Sequence, residues 1–310
     1  MTATITLRPE TPADMRTAFA AATTELLDEE QSTALVLADV SAQFFGEAKA
    51  RHPHRVINVG IREQLLVSAG AGLALTGMRP IVHTFSAFLV ERAWEQIKLD
   101  FSHQDVGGVL VSVGASYDWP AGGRTHMGPG DVALLDTLPD WAVHVPGHPD
   151  EAAMLLRHAA RRSGREYVRL STGRNRDPMP VRPGRFHVVR RGEQGTVVAV
   201  GPVLDDVLAA TGGLDVTVLY AATVRPFDAQ TLRATLGRAD VVLVEPYLAG
   251  TSTRLVADAL VDLPHRTLGL GVRAEELRRY GEPREHQRAH GLDAAGLRAS
   301  IDAFLAPGRR

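Results

Sequence analysis

Glu63 is the residue of this sequence best placed to do chemistry. It lies in Val59-Gly60-Ile61-Arg62-Glu63-Gln64, after the short apolar run Arg55-Val56-Ile57-Asn58 and before the small-residue run Leu65–Leu75. That order reads as strand, glycine turn and helix, with one carboxylate in the first helical turn. Ser68, Ala69, Gly70, Ala71 and Gly72 carry almost no side chain. Each glycine costs a helix about 1 kcal/mol against alanine, so the run needs a packing reason, such as a closely approaching partner. A carboxylate beside such a contact suggests chemistry.

Three further clusters follow predicted strands. In Thr84-Phe85-Ser86-Ala87-Phe88 two phenylalanines share one turn of a protein that is only 5% aromatic, which makes the pair worth weighing. They form either ordinary core or an apolar slot for a flat ring, since aromatic faces stack on planar heterocycles. The loop Gly114–Asp131 is long and glycine-rich, and carries Arg124 and His126. Loops beyond the C-terminal ends of parallel strands are where such sheets place ligands, although a solvated surface histidine is the alternative for His126. Arg174, on the turn Ser171-Thr172-Gly173-Arg174-Asn175, suits a phosphate or carboxylate, with plain solvation as its alternative. Other motifs fail. Gly70-Ala71-Gly72 lacks the third glycine of a dinucleotide fingerprint, and His52-Pro53-His54 has no second ligand pair of metal spacing.

Alternating apolar runs and helical patterns position these residues. Strands are expected at Ala34–Val40, Arg55–Asn58, Pro80–Thr84, Val109–Val113, Ala142–Val145 and Tyr167–Leu170, with helices over Asp14–Glu30, Ile61–Leu75 and Asp150–Arg162. Continuous apolar strands separated by helices argue for a parallel sheet covered on both faces. The proline-rich stretch Asp177–Gly184 breaks the pattern. Strands resume at Thr196–Val200, Val216–Leu219, Val241–Val244 and Thr267–Leu270, and Asp228 is placed to cap a helix over Ala229–Leu236. The fold class is α/β: two consecutive three-layer domains with mostly parallel sheets, over residues 1–178 and 194–310, joined by a linker at 179–193.

At 310 residues with 45% hydrophobic content the chain can bury a full core. A formal net charge of −2 gives no general attraction to nucleic acid or anionic membrane. With no cysteine, thiolate metal sites and thiol nucleophiles are excluded. No apolar run has the ~20 residues of a membrane helix, and Met1–Pro9 lacks the pattern of a secretory signal, so a cytoplasmic protein is expected.

Taken in order, the clusters resemble the C-terminal half of a transketolase-type thiamine-diphosphate enzyme. Ala38-Asp39-Val40 resembles the first strand end, Asn58–Gln64 the catalytic glutamate motif, and Thr84-Phe85 with Phe88 the ring pocket. Gly123-Arg124-Thr125-His126 with Asp131-Val132-Ala133-Leu134-Leu135 resembles the family's Gly-Pro-Thr-His loop and the helix after it. Pro226-Phe227-Asp228 and Tyr280-Gly281 with His290-Gly291-Leu292-Asp293 resemble the C-terminal domain. The resemblance implies that Glu63 hydrogen-bonds the cofactor's aminopyrimidine, that Phe85 and Phe88 bracket it, and that Asp39 belongs to the cofactor site. It implies that His126, with Arg124 and Arg174, meets substrate as a two-carbon ketol unit passes from a ketose to an aldehyde. The family's Gly-Asp-Gly motif for the diphosphate and its Mg2+ is not found, which implies a separately encoded diphosphate-binding partner in an α2β2 assembly. Gly114 and Gly122 stand where the family presents a histidine and an aspartate to sugar, Glu91 replaces an aromatic, Gln43 a serine and Arg124 a proline. These departures point to an altered substrate. The rival readings are a 2-oxoacid dehydrogenase E1 β subunit and a non-catalytic scaffold, with deoxyxylulose-phosphate synthase as a third relative.

Overall fold

The computed structural model of the protein describes residues 14–306. Its strands are β1 (Thr33–Leu37), β2 (Val56–Asn58), β3 (Arg79–Phe85), β4 (Gly108–Val113), β5 (Trp141–His144) and β6 (Arg165–Arg169). They continue as β7 (His187–Arg190), β8 (Thr196–Val200), β9 (Thr217–Ala221), β10 (Thr223–Arg225), β11 (Asp240–Leu248) and β12 (Arg266–Val272). Two sheets result, in the orders β10-β5-β6-β4-β3-β1-β2 and β12-β11-β8-β9-β7. All pairings are parallel except β10 with β5 and β7 with β9.

Alternation along the strands divides the core. Leu35 and Leu37 of β1, Ile81 of β3, and Val109 and Val111 of β4 face the helices Met15–Glu29 and Pro149–Ala160. Val36, Val82 and Leu110, their neighbours in sequence, face Leu66, Val67 and Ala71 of the helix Glu63–Leu75. That second core is continuous with Val198, Leu219, Val241 and Leu243 of the second sheet. One apolar body therefore joins both sheets.

The expected strands and helices form, with shifts at their ends. The helix after the glycine turn begins at Glu63 rather than Ile61, because Arg62 holds an extended φ of −146°. Asp228 caps its helix, accepting from the Thr231 amide at 3.0 Å. Two strands were not legible. β7 lies inside the stretch read as a linker, and β10 is a three-residue strand that leaves the second sheet to pair with β5. The seam there is polar: His144 Nδ1 lies 2.9 Å from Thr223 Oγ1, and Arg225 forms an ion pair with Asp136. The helical segment Ala87–His103 was also not anticipated, although Leu89, Ala93, Ile97 and Phe101 recur every four residues on its buried face. Its wide, π-type turns blur the helical period.

Small residues in the helix Glu63–Leu75 serve two purposes. A Cβ at Gly70 would meet Val82 Cγ2 at 2.4 Å, so this glycine lets the helix lie close on its own sheet. Gly72 faces open space instead.

His83 on β3 is fully buried, with Nε2 2.8 Å from Ser41 Oγ and Nδ1 2.9 Å from the Val111 carbonyl oxygen. Burial pushes its pKa down to about 3 from 6.5. Below pH 6.5 the unfolded chain takes up a proton that the folded chain refuses, so this histidine supports stability above that pH and the support is lost toward about 3. His83→Asn is expected to remove up to about 1.4 kcal/mol per pH unit from the acid-side slope of the unfolding free energy. Urea unfolding of both proteins across pH 7 to 4 checks this; parallel slopes would refute it.

Candidate active site

The strand ends and the helix N-terminus converge on a buried carboxylate. Gly60 turns the chain at φ +71° after β2, its amide donating to Asn58 Oδ1 at 3.0 Å, and Glu63 opens the helix. Glu63 is 1% exposed. Its Oε2 accepts from Arg92 Nη1 at 2.7 Å, a charge-assisted bond that makes burial of the acid tolerable. The Arg92 guanidinium lies 4.0 Å from the centroid of the Phe88 ring. Glu63, Arg92 and Phe88 thus form one contiguous group.

Phe88 extends that group into an aromatic cluster. Phe85 meets Phe88 edge-on at 5.7 Å and stacks on Trp119 at 5.6 Å with 17° between planes. His126 stands against all three rings, 5.5 Å from Phe85, 5.0 Å from Phe88 and 4.6 Å from Trp119. Its Nδ1 lies 3.1 Å from the Gly122 carbonyl oxygen, which can only accept. Thr125 Oγ1, which can donate or accept, lies closer to the same nitrogen at 2.9 Å, so Nε2 is the ring nitrogen left to meet a ligand.

Beside these rings, at the C-terminal ends of β3, β4 and β6, lies a cleft of about 520 Å³ bordered by Arg16, Phe85, Gly114, Asp118, Trp119 and Thr172. Asp118 accepts from Ser171 Oγ at 2.8 Å and from the Thr172 amide at 2.9 Å. Burial raises its pKa above the ordinary carboxylate value, against these hydrogen bonds.

A buried ion pair fixes the loop that carries His126. Arg169 Nε donates to Asp131 Oδ2 at 2.8 Å, and neither side chain has any exposure. The same oxygen accepts from Tyr167 at 2.6 Å and from Ser86 at 2.8 Å. Arg169 Nη2 reaches Ser116 Oγ at 2.9 Å, and its Nη1 has no hydrogen-bond partner among the described residues.

The structure brings Glu63, Phe85, Phe88 and His126 together. Asp39, exposed at φ +62°, is bound to Asn58, whose Nδ2 donates to it at 2.8 Å. No hydrogen bond or ion pair joins it to the Glu63 cluster among the described residues. Arg124 points to the C-terminal part of the chain, donating to Glu276 Oε1 at 2.9 Å and to the Met127 carbonyl at 2.7 Å. Arg174 is exposed on the turn after β6. Sequence reasoning missed Arg92 and Trp119. A charged residue four places after Phe88, within an apolar four-residue repeat, was the available signal for Arg92. No group of three or more His, Asp or Glu that could hold a metal ion occurs among the described residues.

Gly114 and Gly122 have local reasons. Gly114 sits at φ +63°, and a Cβ there would come within 2.3 Å of the Phe85 ring. A Cβ at Gly122 would come within 2.9 Å of the His126 ring. Larger residues at either place would displace the aromatic cluster.

The family model for the transketolase pyrimidine-binding domain matches residues 11–178, the part that builds this cluster. The chain belongs to the transketolase family. The likeness extends past that domain. A split-gene transketolase structure, described as an inactive beta4 tetramer, superposes with a TM-score of 0.84 at 27% identity, covering 96% of this chain and 100% of that one. The "Uncharacterized 33.6 kDa protein in fasciation locus" of Rhodococcoides fascians is 54% identical over 296 residues, 94% of this chain and 95% of that protein. The 1-deoxy-D-xylulose-5-phosphate synthase of Thioalkalivibrio sulfidiphilus is 32% identical over 273 residues, 84% of this chain but 42% of the synthase. The transketolase-family chain thus spans less than half of that synthase, as the pyrimidine-binding domain followed by a C-terminal domain.

The Glu63–Arg92 pair generates a stability prediction. Arg92→Ala leaves a buried carboxylate without its cation and is expected to cost about 1–3 kcal/mol, less than a fully buried pair because Arg92 is partly exposed. In a Glu63→Gln background the same change should cost much less. Chemical denaturation of the four proteins of this cycle measures the difference, and equal costs in both backgrounds would show that the pair contributes nothing.

Proposed function

We propose that this chain is the pyrimidine-binding half of a two-subunit, thiamine-diphosphate-dependent transferase. The observation that carries the reading is the buried Glu63 carboxylate standing beside the Phe85–Phe88–His126 cluster. These residues fit an aminopyrimidine. Glu63 offers a dry carboxylate to a ring nitrogen, and the phenylalanines offer apolar faces to a planar ring. The Arg92 guanidinium is itself flat, donates to Glu63 and lies on Phe88, which supports a planar N–H donor at that place. When bound, the cofactor supplies an electron sink for breaking and making a carbon–carbon bond.

The chain's own residues then have separable tasks. Glu63 shares a proton with the pyrimidine. Phe85, Phe88 and Trp119 exclude water. His126 Nε2 accepts from, or once protonated donates to, a substrate oxygen at the mouth of the cleft. Arg16 and Thr172 border that cleft and suit the polar end of a substrate. Asp39 is assigned to the cofactor side, and Arg124 and Arg174 to the substrate approach.

The diphosphate and its Mg2+ are assigned to a partner subunit. Two observations support a partner: the likeness to a split-gene transketolase structure, and the open, apolar face of the Glu63 helix. Leu65 and Leu75 on that face are 48% and 60% exposed, with Gly72 between them, and Ile61, just before the helix, is 70% exposed. An α2β2 assembly follows the family pattern. The inactivity named for the split-gene β4 tetramer fits a half enzyme that needs its complement.

For the reaction, transfer of a two-carbon ketol unit from a ketose to an aldehyde is the first reading. The synthase relatives support a second, in which the transferred unit ends in a methyl group, as a 1-deoxy product requires. The Phe85 ring against Gly114, in place of the expected histidine, gives the acceptor side fewer polar contacts for a sugar hydroxyl.

Three experiments test this reading. The chain alone should show no turnover, and adding the diphosphate-binding subunit should create it. Glu63→Ala in the reconstituted pair should lower turnover by at least about 100-fold while size-exclusion chromatography still shows the assembly. An unchanged rate would leave only a scaffold role. Comparing ketose phosphates with a methyl-terminated 2-oxo acid as donor separates the two reactions. Turnover of ordinary ketose phosphates at ordinary transketolase rates would overturn the altered-substrate reading.

A further inference from the structure

A second cavity, of about 300 Å³, lies between the loop that carries His126 and the segment from β12 to the helix Pro283–His290. We propose that this cavity binds a small phosphorylated metabolite through Arg278 and Arg279, and that the ligand ties the C-terminal part of the chain to the His126 loop.

Charge bookkeeping at the cavity favours an anion. Arg124, Arg273, Arg278 and Arg279 line it against Glu275 and Glu276. Both acids are already matched, Glu276 by Arg124 at 2.9 Å and Glu275 by Arg273 at 2.7 Å. Arg278 makes no hydrogen bond or ion pair among the described residues. Arg279 donates at 3.2 Å to the Glu285 carbonyl, a neutral acceptor. Two guanidinium charges therefore remain uncompensated at one cavity, and guanidinium groups pair with phosphate by parallel N–H bonds.

On the wall opposite, Tyr117 and His290 can donate, whereas His286 Nε2 already donates to the Tyr280 carbonyl at 3.0 Å. Tyr117 stacks on His286 and His290 at 6.1 and 5.9 Å. Burial pushes the Tyr117 phenol well above its ordinary pKa, which keeps its proton for donation. His290 Nδ1 accepts from the Arg273 amide at 3.2 Å, which places the ring proton on Nε2. The volume is at the lower end of the small-molecule range, so a compact ligand fits and a polymer does not.

The segment is already set against the loop. The Tyr280 ring lies over Gly123, where a Cβ would come within 2.9 Å of it, and Arg278 holds a left-handed φ of +51°, uncommon outside glycine. A ligand between Arg278, Arg279 and the Tyr117 hydroxyl would bridge these two parts of the chain.

Isothermal titration calorimetry on the full chain, with glycerol 3-phosphate as probe and glycerol as uncharged control, tests this without the partner subunit. Saturable binding of the phosphate alone is expected, weakening with salt. The double variant Arg278→Ala/Arg279→Ala, whose side chains are exposed and whose fold should persist, is expected to bind at least about tenfold more weakly. Arg16→Ala, at the Phe85 cleft, should retain the binding. No saturable binding by the wild type overturns the proposal, as does binding that survives the double variant or is lost only in Arg16→Ala.

Discussion

The contact between Asp131 and Arg169 is the constraint on which the site rests. Two opposite charges with no solvent exposure are costly to bury, and the cost is offset by close pairing and by further hydrogen bonds to both partners. Here one carboxylate oxygen gathers Arg169, Tyr167 and Ser86, while the guanidinium reaches Ser116 at the base of the loop. The ends of β3 and β6 and both feet of the His126 loop are thereby fixed to one point. The ring cluster of Phe85, Phe88, Trp119 and His126 inherits its geometry from that point, because each ring is attached within a few residues of a member of the network.

Charge is handled differently at Glu63. A single cation, itself partly exposed, satisfies the acid, and that cation leans on an aromatic face instead of being enclosed. The arrangement is easier to rearrange than the Asp131 network. A rigid loop facing an adjustable acid suits a site that must admit a flat ring and then hold it. The glycines at 114 and 122 belong to the same design. They surrender polar side chains so that Phe85 and His126 can occupy their places.

Much of this was legible in the sequence because the signals were strong and local. Continuous apolar runs marked the buried parallel strands, and the glycine turn before Glu63 marked the strand-to-helix transition. Ordered motifs marked the family. What escaped detection depends on distant partners. β10 has three residues and no pattern of its own, and is a strand only because β5 offers an edge. β7 lies beside prolines that mask it. The helical segment after Phe88 carries widened turns that spoil a strict 3.6-residue period, so Arg92 could not be placed opposite Glu63 in advance. Trp119 gave no spacing signal, since its role comes from the stack on Phe85. The ion pair of Arg124 with Glu276 could not be foreseen either, because the whole second sheet lies between them in sequence.

The three-residue crossing strand has a consequence for how the polypeptide could be divided. Cutting the chain in the proline-rich stretch would strip β5 of its outer neighbour, β10, and leave an unpaired row of backbone groups along that edge, the kind of margin that recruits other chains into aggregates. The two α/β units are therefore laced together, not merely strung in series. A gene fission that respects this lacing would fall before the first sheet and not between the two.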